Sequence, residues 1–239
     1  MDFPDPLIRG TLVKRYKRFL ADVTLATGET VTAHCANTGA MLGVRDPGAE
    51  VWLSPARNPD RKLKYTWELI RVGGRLVGIN TAHPNAIVSE AIAGGKVPEL
   101  AGYGALRREV KYGKNSRIDI LLTDGGGRPD CYVEIKNVHL MREPGIAEFP
   151  DSVSTRAAKH QGELADMVAS GARAVTFYLC QREDCDAFRL AADIDPGYAE
   201  AAKAARVRGM EALAYACALT PEAIAVSRPL AFADASPDT

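Results

Sequence analysis

Two segments decide the fold of this chain: Arg117-Ile118-Asp119-Ile120-Leu121-Leu122 and Cys131-Tyr132-Val133-Glu134-Ile135-Lys136. Both have the apolar, β-branched composition of buried strands, yet both carry charged residues. Because side chains two apart on a strand point to the same face, Glu134 and Lys136 share one face of the second strand. An unpaired charge there is costly, so we expect neighbouring strands that cluster Asp119, Glu134 and Lys136, with a divalent cation as a further partner. Many metal-dependent nucleases are built in this way.

The composition of the chain limits the classes of protein to which it can belong. Apolar residues make up 46% of the 239 residues, and 30 basic residues balance 30 acidic ones, so overall charge does not indicate nucleic acid. The absence of a transmembrane-length apolar stretch and of a secretory signal pattern predicts a cytoplasmic protein with no membrane partner. No Cys-x-x-Cys pair occurs, which favours buried free thiols over a zinc or disulfide framework. The five cysteines are Cys35, Cys131, Cys180, Cys185 and Cys217.

The chain changes character near residue 80. Residues 8–80 contain about five short strands with Gly and Pro turns, which favours a small β-barrel. An oligonucleotide-binding (OB) barrel is the leading candidate, with a generic barrel or sandwich as the alternative. The predicted strand segments are 11–19, which runs into 22–25, and then 31–35, 51–54, 63–71 and 76–80.

The remainder alternates between helices and strands, which is typical of an α/β domain with a mixed sheet. We expect the tail after about Pro229 to fray. The chain is therefore an α+β or α/β protein with an OB-like barrel over 1–82 and a second domain over 83–239. The predicted helices are 84–93, 155–170 (capped by Ser154 or Thr155) and 196–208, and strands 173–180 and a final 211–217 join the two charged segments.

The charged segments predict a metal site. Asp119, Glu134 and the carbonyl of Ile135 could bind Mg²⁺ or Mn²⁺, which prefer oxygen ligands. Lys136 could then hold the attacking water or stabilise the charge that develops on phosphorus. Glu90, on the preceding helix, is the candidate fourth catalytic residue. The alternatives are a structural Glu134–Lys136 salt bridge and a solvated helix charge at Glu90.

Polar residues at the start of the second helix suggest a phosphate contact. The spacing places Gln161 on the apolar stripe of this helix, with His160 beside it. We count both as DNA-binding candidates; the alternative is an ordinary surface pair. Gln181 and Arg182 end the strand 173–180, either within reach of a substrate or as plain strand termination.

Basic clusters in the first half point to nucleic acid, because cations neutralise phosphates and aromatic rings stack on bases. The alternative is a pair of solvated strand faces. His34 and Asn37-Thr38-Gly39 lie in a loop to which we assign no catalytic role. The clusters comprise Lys14, Arg15, Tyr16, Lys17, Arg18 and Phe19, and then Arg57, Arg61, Lys62 and Lys64 near Tyr65 and Trp67.

Along nearly its whole length the sequence resembles the sugar fermentation stimulation protein A (SfsA) family. One departure falls in the second helix, where Ala157 and Gln161 stand at positions at which we expect Gly and Leu. The segments that carry the resemblance are Phe3-Pro4-x-Pro6-Leu7, Lys14 to Asp22, Thr32 to Gly39, Arg61 to Leu69, Asn80-Thr81, Tyr112-Gly113-x-x-Ser116-Arg117-Ile118-Asp119, Val133 to Val138 and Phe149-Pro150-Asp151.

The resemblance implies an N-terminal OB-like barrel and a C-terminal domain similar to the PD-(D/E)XK nucleases, a mixed sheet flanked by helices. It also implies binding of DNA without strong sequence preference and a regulatory role in maltose metabolism. The family's catalytic positions correspond here to Glu90, Asp119, Glu134 and Lys136.

Three hypotheses follow. The first is a DNA-binding protein with a working metal-dependent phosphodiesterase site, and the second is a non-catalytic DNA-binding regulator of sugar metabolism genes. The third, a sugar-binding protein, has no carbohydrate-specific residue pattern in its favour. A nuclease-like fold does not prove activity. The sequence leaves open whether the DNA is duplex or single-stranded and whether the protein forms a homodimer.

Overall fold

The structure is a computed structural model that describes residues 1–112 and 116–233. Two of the predicted features lie partly outside these residues. They are the Gly113 position of the Tyr112-Gly113-x-x-Ser116 motif and the end of the tail beyond residue 233.

The first six strands form a closed barrel. Their order is β3-β2-β1-β4-β5-β6, and β3 also pairs with β5 at His34–Thr66 and Cys35–Trp67. That second pairing curls the sheet around a buried core that includes Leu12, Leu53 and Trp67. The strands are β1 (Ile8–Tyr16), β2 (Leu20–Leu25), β3 (Thr30–Cys35), β4 (Glu50–Pro55), β5 (Tyr65–Val72) and β6 (Arg75–Gly78).

The first strand begins and ends three residues earlier than predicted. It ends at Tyr16, and the prediction of a strand continuing to Phe19 is wrong. Lys17 and Arg18 adopt the left-handed backbone conformation, with φ of 48° and 65°. This tight turn lets β2 fold back antiparallel on β1, so the densest basic run of the sequence lies half on a strand and half on a turn.

A six-stranded mixed sheet forms the centre of the second domain, in the order β15-β14-β12-β9-β8-β7. A smaller sheet has the order β10-β11-β13-β16. The helices are α1 (Pro84–Ala93), α2 (Thr155–Ala169) and α3 (Pro196–Val207). The strands are β7 (Ala105–Tyr112), β8 (Ser116–Thr123), β9 (Cys131–Val138), β10 (Leu140–Glu143), β11 (Gly145–Phe149), β12 (Arg173–Cys180), β13 (Cys185–Leu190), β14 (Glu211–Leu219), β15 (Ile224–Pro229) and β16 (Ala231–Phe232).

Helices cover the large sheet on both faces. Ile87 and Val88 of α1 pack in one core with Ile120 and Val133 of the central strands. On the other face, Leu164 of α2 packs in a second core. Alternate residues of β8 and β9 therefore reach different helices, as the period of a strand requires.

The strands of this domain differ from the prediction at its end and at its edge. The strand at Glu211–Leu219 is not the last, because β15 pairs with it antiparallel and β16 pairs parallel with β13. Strand β16 therefore lies within the segment after Pro229 that we expected to fray, and residues 234–239 of that segment lie outside the described residues. Strand β7 was missed, because its four charged residues mask the apolar pattern; such charge is common on an edge strand, where one side needs no partner.

Gln181 and Arg182 lie at the contact between the barrel and the second domain. The Gly78 amide donates to the Gln181 carbonyl at 2.9 Å, and Val77 and Arg182 form an isolated bridge. Both side chains are buried, and Arg182 pairs with Asp184 at 2.8 Å. Both residues therefore contribute to the contact between the domains, and Gln181 Nε2 also donates to Asn137 Oδ1 at 2.5 Å.

Two further findings concern the general class of protein. Within residues 1–112 and 116–233, no helix is long and apolar enough to cross a membrane. The five cysteines are buried free thiols, as the sequence predicted.

Candidate functional site

The site forms where two neighbouring strands separate. Strands β8 and β9 pair from Leu122–Cys131 to Ile120–Val133, although both strands continue beyond the last pair. In the gap, the Ile135 amide donates to Asp119 Oδ2 at 2.7 Å. The carboxylate thus accepts a backbone N–H that faces the neighbouring strand but no longer has a ladder partner.

One carboxylate oxygen of Glu134 accepts hydrogen bonds, and the other, which we call the open oxygen, accepts none among the described residues. Its Oε1 accepts from Lys136 Nζ at 2.8 Å and lies 2.9 Å from His160 Nδ1. Its Oε2 is buried and has no hydrogen-bond partner among the described residues. The residue is 5% exposed. A buried carboxylate oxygen without a donor is costly, so this atom is the strongest sign in the site of a missing cationic ligand.

The two carboxylates are electrostatically unlike. Burial, with the nearby charge of Glu134, raises the pKa of Asp119, although the Ile135 amide and Asn85 oppose the rise. Burial also disfavours the charged form of Glu134, but the hydrogen bond from His160 and the charge of Lys136 outweigh it and lower its pKa. The surroundings therefore favour the ionised form of Glu134 and disfavour that of Asp119.

Glu109 is a third carboxylate that sequence reasoning missed. It lies on β7 between Arg108, which pairs with Ile120, and Val110, which pairs with Ile118, and so stands opposite Asp119. Its backbone is left-handed, with φ of 55°, which is strained for a non-glycine residue. The sequence signal that could have found Glu109 is its position opposite Asp119. That signal can be read only after residues 105–112 are identified as a strand.

Asn85 joins the two strands to helix α1. Its Nδ2 donates to Glu109 Oε1 at 2.6 Å and to Asp119 Oδ1 at 3.0 Å. It lies in the first turn of α1, directly after Pro84. The helix therefore contributes to the site through an amide at its start rather than through the predicted acid.

The structure does not bring Glu90 to this cluster. Its side chain is 65% exposed, and its carboxylate accepts from the Met1 amino group at 2.9 Å. Five residues separate it from Asn85, and five steps of a helix rotate the side chain by about 140°. Glu90 therefore faces away when Asn85 faces Asp119.

The two candidates on α2 have different surroundings. His160 is buried and reaches Glu134, so it belongs to the site through that carboxylate. Gln161 is fully buried, and its Nε2 donates to Thr176 Oγ1 at 3.2 Å. The interior position of Gln161 is consistent with the Leu that the family resemblance leads us to expect at this position. Its side chain is therefore not on a surface that DNA could reach.

Two cavities meet at the acidic cluster. The α1 cavity, of about 410 Å³, includes Thr81, Asn85 and Arg108 in its walls. The α2 cavity, of about 530 Å³, lies on the other side and includes Arg117, Arg156, Lys159 and His160. Asp119 and Glu109 line both cavities. We call Arg108, Arg117, Arg156 and Lys159 the rim cations.

The basic segment of β1 is largely engaged in the barrel. Arg15 Nη2 donates to the carbonyls of Arg18, Asn37 and Gly39, at 2.7, 2.9 and 3.0 Å. Lys14 pairs with Asp22 at 3.6 Å, and the Tyr16 hydroxyl donates to the same carboxylate at 3.1 Å. Lys17 and Arg18, in contrast, lie exposed on the turn.

The second basic cluster of the barrel makes similar internal contacts. Arg57 pairs with Asp5 at 2.8 Å, and Arg61 donates to the Thr66 hydroxyl at 2.9 Å. Lys64 donates to the Pro59 carbonyl. Lys62 and Lys64 are nevertheless exposed, so their charges remain accessible to an anion.

The oxygen atoms of the acidic cluster can be compared with the ligands that a divalent metal ion requires. In the described part of the chain, no group of three or more His, Cys, Asp or Glu side chains is placed to hold a metal. Mg²⁺ and similar ions accept fewer protein ligands, because they keep several waters. Asp119, the open Oε2 of Glu134 and the Ile135 carbonyl fit that requirement. On a strand the carbonyl points to the same side as the amide that reaches Asp119.

Comparisons with known proteins agree with this architecture. Residues 13–79 match the family model described as the SfsA N-terminal OB domain. Residues 82–223 match the one described as the sugar fermentation stimulation protein RE domain.

Similar full-length proteins are also known. A sugar fermentation stimulation protein homolog of Paramagnetospirillum magneticum is 61% identical over 230 residues, covering 96% of this chain and 97% of that protein. A homolog from Maricaulis maris is 57% identical over 230 residues, with coverage of 96% and 97%. The solved structure of Pyrococcus furiosus SfsA in complex with Ca²⁺ matches with a TM-score of 0.87 and 27% identity, covering 98% of each chain. The resemblance and the fold class expected from the sequence are confirmed.

Proposed function

The chain belongs to the sugar fermentation stimulation protein family, and we propose that it binds DNA with little sequence preference and hydrolyses phosphodiester bonds at Asp119 and Glu134 with a divalent metal ion. One observation carries this proposal, the buried Oε2 of Glu134 that has no hydrogen-bond donor among the described residues. Its partner oxygen is held by Lys136 and His160, so the open atom has a defined position beside Asp119.

The metal is Mg²⁺ or Mn²⁺ in this proposal. Ca²⁺ in the Pyrococcus furiosus SfsA structure supports a divalent cation in a protein of the same fold. Asp119, Glu134 and the Ile135 carbonyl would hold the ion. When bound, such an ion neutralises phosphate charge and lowers the pKa of its water.

The side chains around the carboxylates have separate roles in this proposal. His160 and Lys136 fix Glu134 in its ionised form, which is the form that attracts a cation. Asn85 orients Asp119 from the side of α1. The Lys136 ammonium, placed next to Glu134, can donate to a phosphoryl oxygen as negative charge develops there. Rim cations on both sides can hold the neighbouring phosphates.

Cleavage of labelled single-stranded and duplex DNA with Mg²⁺ or Mn²⁺ tests the proposal. Asp119→Asn should abolish cleavage, because it removes a negative ligand from the gap between β8 and β9. Glu90→Gln is the matched control, since that carboxylate is exposed and contacts the Met1 amino group. Cleavage by the parent and by Glu90→Gln, but not by Asp119→Asn, supports the assignment; equal cleavage by all three proteins contradicts it.

A second candidate function is a non-catalytic DNA-binding regulator of sugar metabolism genes, including those for maltose. The observation in its favour is that the side chains of the described residues provide no three-ligand metal group. Retention of DNA without cleavage, by parent and Asp119→Asn alike, would favour this candidate. The name shared by the relatives, sugar fermentation stimulation protein homolog, is compatible with either function.

A further inference from the structure

An exposed aromatic side chain lies on the barrel turn between β1 and β2. Phe19 is 49% exposed, although its backbone is fixed by a hydrogen bond of 2.8 Å from the Cys35 amide to its carbonyl. Lys17 and Arg18 precede it in the left-handed conformation and are exposed as well. The turn thus presents a flat apolar ring beside two cations on a rigid base.

The turn is bonded, step by step, to the wall of the α1 cavity. Arg18 Nε donates to the Thr38 carbonyl at 3.1 Å, and Arg15 donates to the carbonyl of Asn37 in the same loop. The Thr81 hydroxyl donates to the Ala36 carbonyl at the start of that loop. Thr81 itself lines the α1 cavity. The barrel turn and the cavity are therefore neighbours across one short loop.

From the α1 cavity the surface continues past the acidic cluster. Glu109 and Asp119 belong to both cavities, so the α1 cavity opens beside the α2 cavity. Cations follow on each side. Over residues 1–112 and 116–233, Arg108, Arg117 and Arg156 form no ion pair, and Lys159 contacts Glu163 at 3.3 Å. The three arginine charges are available to successive phosphates on either side of Asp119, and Lys159, 67% exposed, adds a charge that its carboxylate partner partly offsets.

We infer that the substrate is a single nucleic-acid strand lying along one track, from Phe19 on the barrel turn, past Asp119, to Arg156 and Lys159 on α2. The inference rests on the proposed function and names its substrate form. Base stacking on Phe19 requires a base whose face is free, which a paired base inside a duplex does not offer. Glu134 is 5% exposed and lines the α2 cavity, so the carboxylate is approached through a cavity of small-ligand size rather than from a flat surface.

Binding is measured by fluorescence anisotropy in EDTA, which prevents metal-dependent cleavage, with labelled single strands of increasing length and a blunt duplex of the same sequence. The single strand should bind more tightly than the duplex, with affinity rising until the track is filled. Phe19→Ala should weaken single-strand binding by about tenfold and leave duplex binding unchanged. Val207→Ala, which trims an 83% exposed apolar side chain on α3, is the control and should change neither.

A second variant tests the end of the track on α2, at Arg156 and Lys159. Arg156→Gln with Lys159→Gln should lower the dependence of single-strand affinity on salt, because two phosphate contacts are lost. Duplex affinity equal to or above single-strand affinity, or equal responses to Phe19→Ala and Val207→Ala, would overturn the inference. Circular dichroism verifies that each variant is folded.

The failure of this inference differs from the failure of the proposed function. Equal cleavage of duplex and single strand by the parent protein, with Asp119→Asn inactive, would overturn the track and leave the nuclease. Absence of cleavage, together with single-strand binding that depends on Phe19, would overturn the nuclease and leave the strand-binding track.

Discussion

The two basic regions of this protein use their charges differently. In the barrel, Arg15 donates three hydrogen bonds to carbonyls, and Arg57 pairs with Asp5. Around the acidic cluster, Arg108 and Arg156 line cavities and form no ion pair within the described residues. The first region is dense in the sequence, whereas the second is assembled from β7, β8 and α2.

This difference shows that density of charge in the sequence is a weak guide to an anion-binding surface. A run of cations on one strand and turn finds carbonyls and carboxylates close by, and these contacts use its charge locally. Cations that the fold brings together from distant segments around the buried Glu134 and the half-buried Asp119 have fewer local partners. Their charge remains available to a phosphate.

After Asp119→Asn, the largest expected effect is at Glu134. Glu134→Gln should reduce cleavage at least about a hundredfold, because the amide cannot supply the negative oxygen that the open Oε2 provides. Isothermal calorimetry with Mn²⁺ should show the matching loss of binding heat. Unchanged binding heat together with unchanged cleavage would show that Glu134 is needed neither for metal binding nor for cleavage. The contrast between the acidic cluster and the barrel would then fail.

His160 should follow. His160→Ala removes the group 2.9 Å from Glu134 Oε1 and should lower cleavage by about 10- to 100-fold, as outer-shell changes at metal sites do. His160→Asn, which can restore a hydrogen bond, should recover part of that loss. Steady-state cleavage assays measure both variants, and no difference between the two would argue against a positioning role.

Arg15 tests the barrel half of the comparison. Arg15→Met removes three hydrogen bonds to carbonyls and should lower the free energy of unfolding by about 2 kcal/mol. Lys14→Met is the control, since its 62% exposed side chain makes a 3.6 Å pair that should contribute less than about 1 kcal/mol. Urea denaturation measures both. Equal stability of the two variants would show that Arg15 is not used internally.

Salt dependence separates the regions more finely. Replacing Arg117 and Arg156 with Gln should reduce the slope of log affinity against log salt for single-stranded DNA by about 1.4, or 0.7 for each lost phosphate contact. Replacing Lys14 and Arg57 should reduce it less, because each already has a carboxylate partner. A larger reduction from the barrel pair would reverse the comparison.

The smallest expected effect is at Glu90. Glu90→Gln should leave cleavage and metal binding within error of the parent, because its carboxylate is 65% exposed and contacts the Met1 amino group. The same cleavage and calorimetry assays apply. A loss comparable to that of Glu134→Gln would place Glu90 in the site after all, through a helix rearrangement absent from this structure.

Sequence reasoning located most of the core of the fold. The bounds of α1 and β12 agree with those expected, because proline and glycine mark the helix and a long β-branched run marks the strand. The strand period of two also placed Glu134 and Lys136 on one face, where their side chains meet at 2.8 Å. These features depend on local pattern alone.

Features that depend on neighbours were not predictable. Strand β7 is an edge strand whose charges hide its period, so Glu109 could not be set opposite Asp119. The phase of α1 against the sheet selected Asn85 rather than Glu90. The same kind of packing placed Gln161 in the interior beside Thr176.

The sequence by itself determined the strand pair, the shared face of Glu134 and Lys136, and the presence of a barrel, because these follow from residue type and short periods. The tertiary structure decided which oxygen of Glu134 is open, which cations stay without an ion pair, and which side of each helix meets the sheet. Those outcomes depend on where strands separate and on how elements rotate against one another. Packing between distant segments sets both, and a local pattern does not encode it.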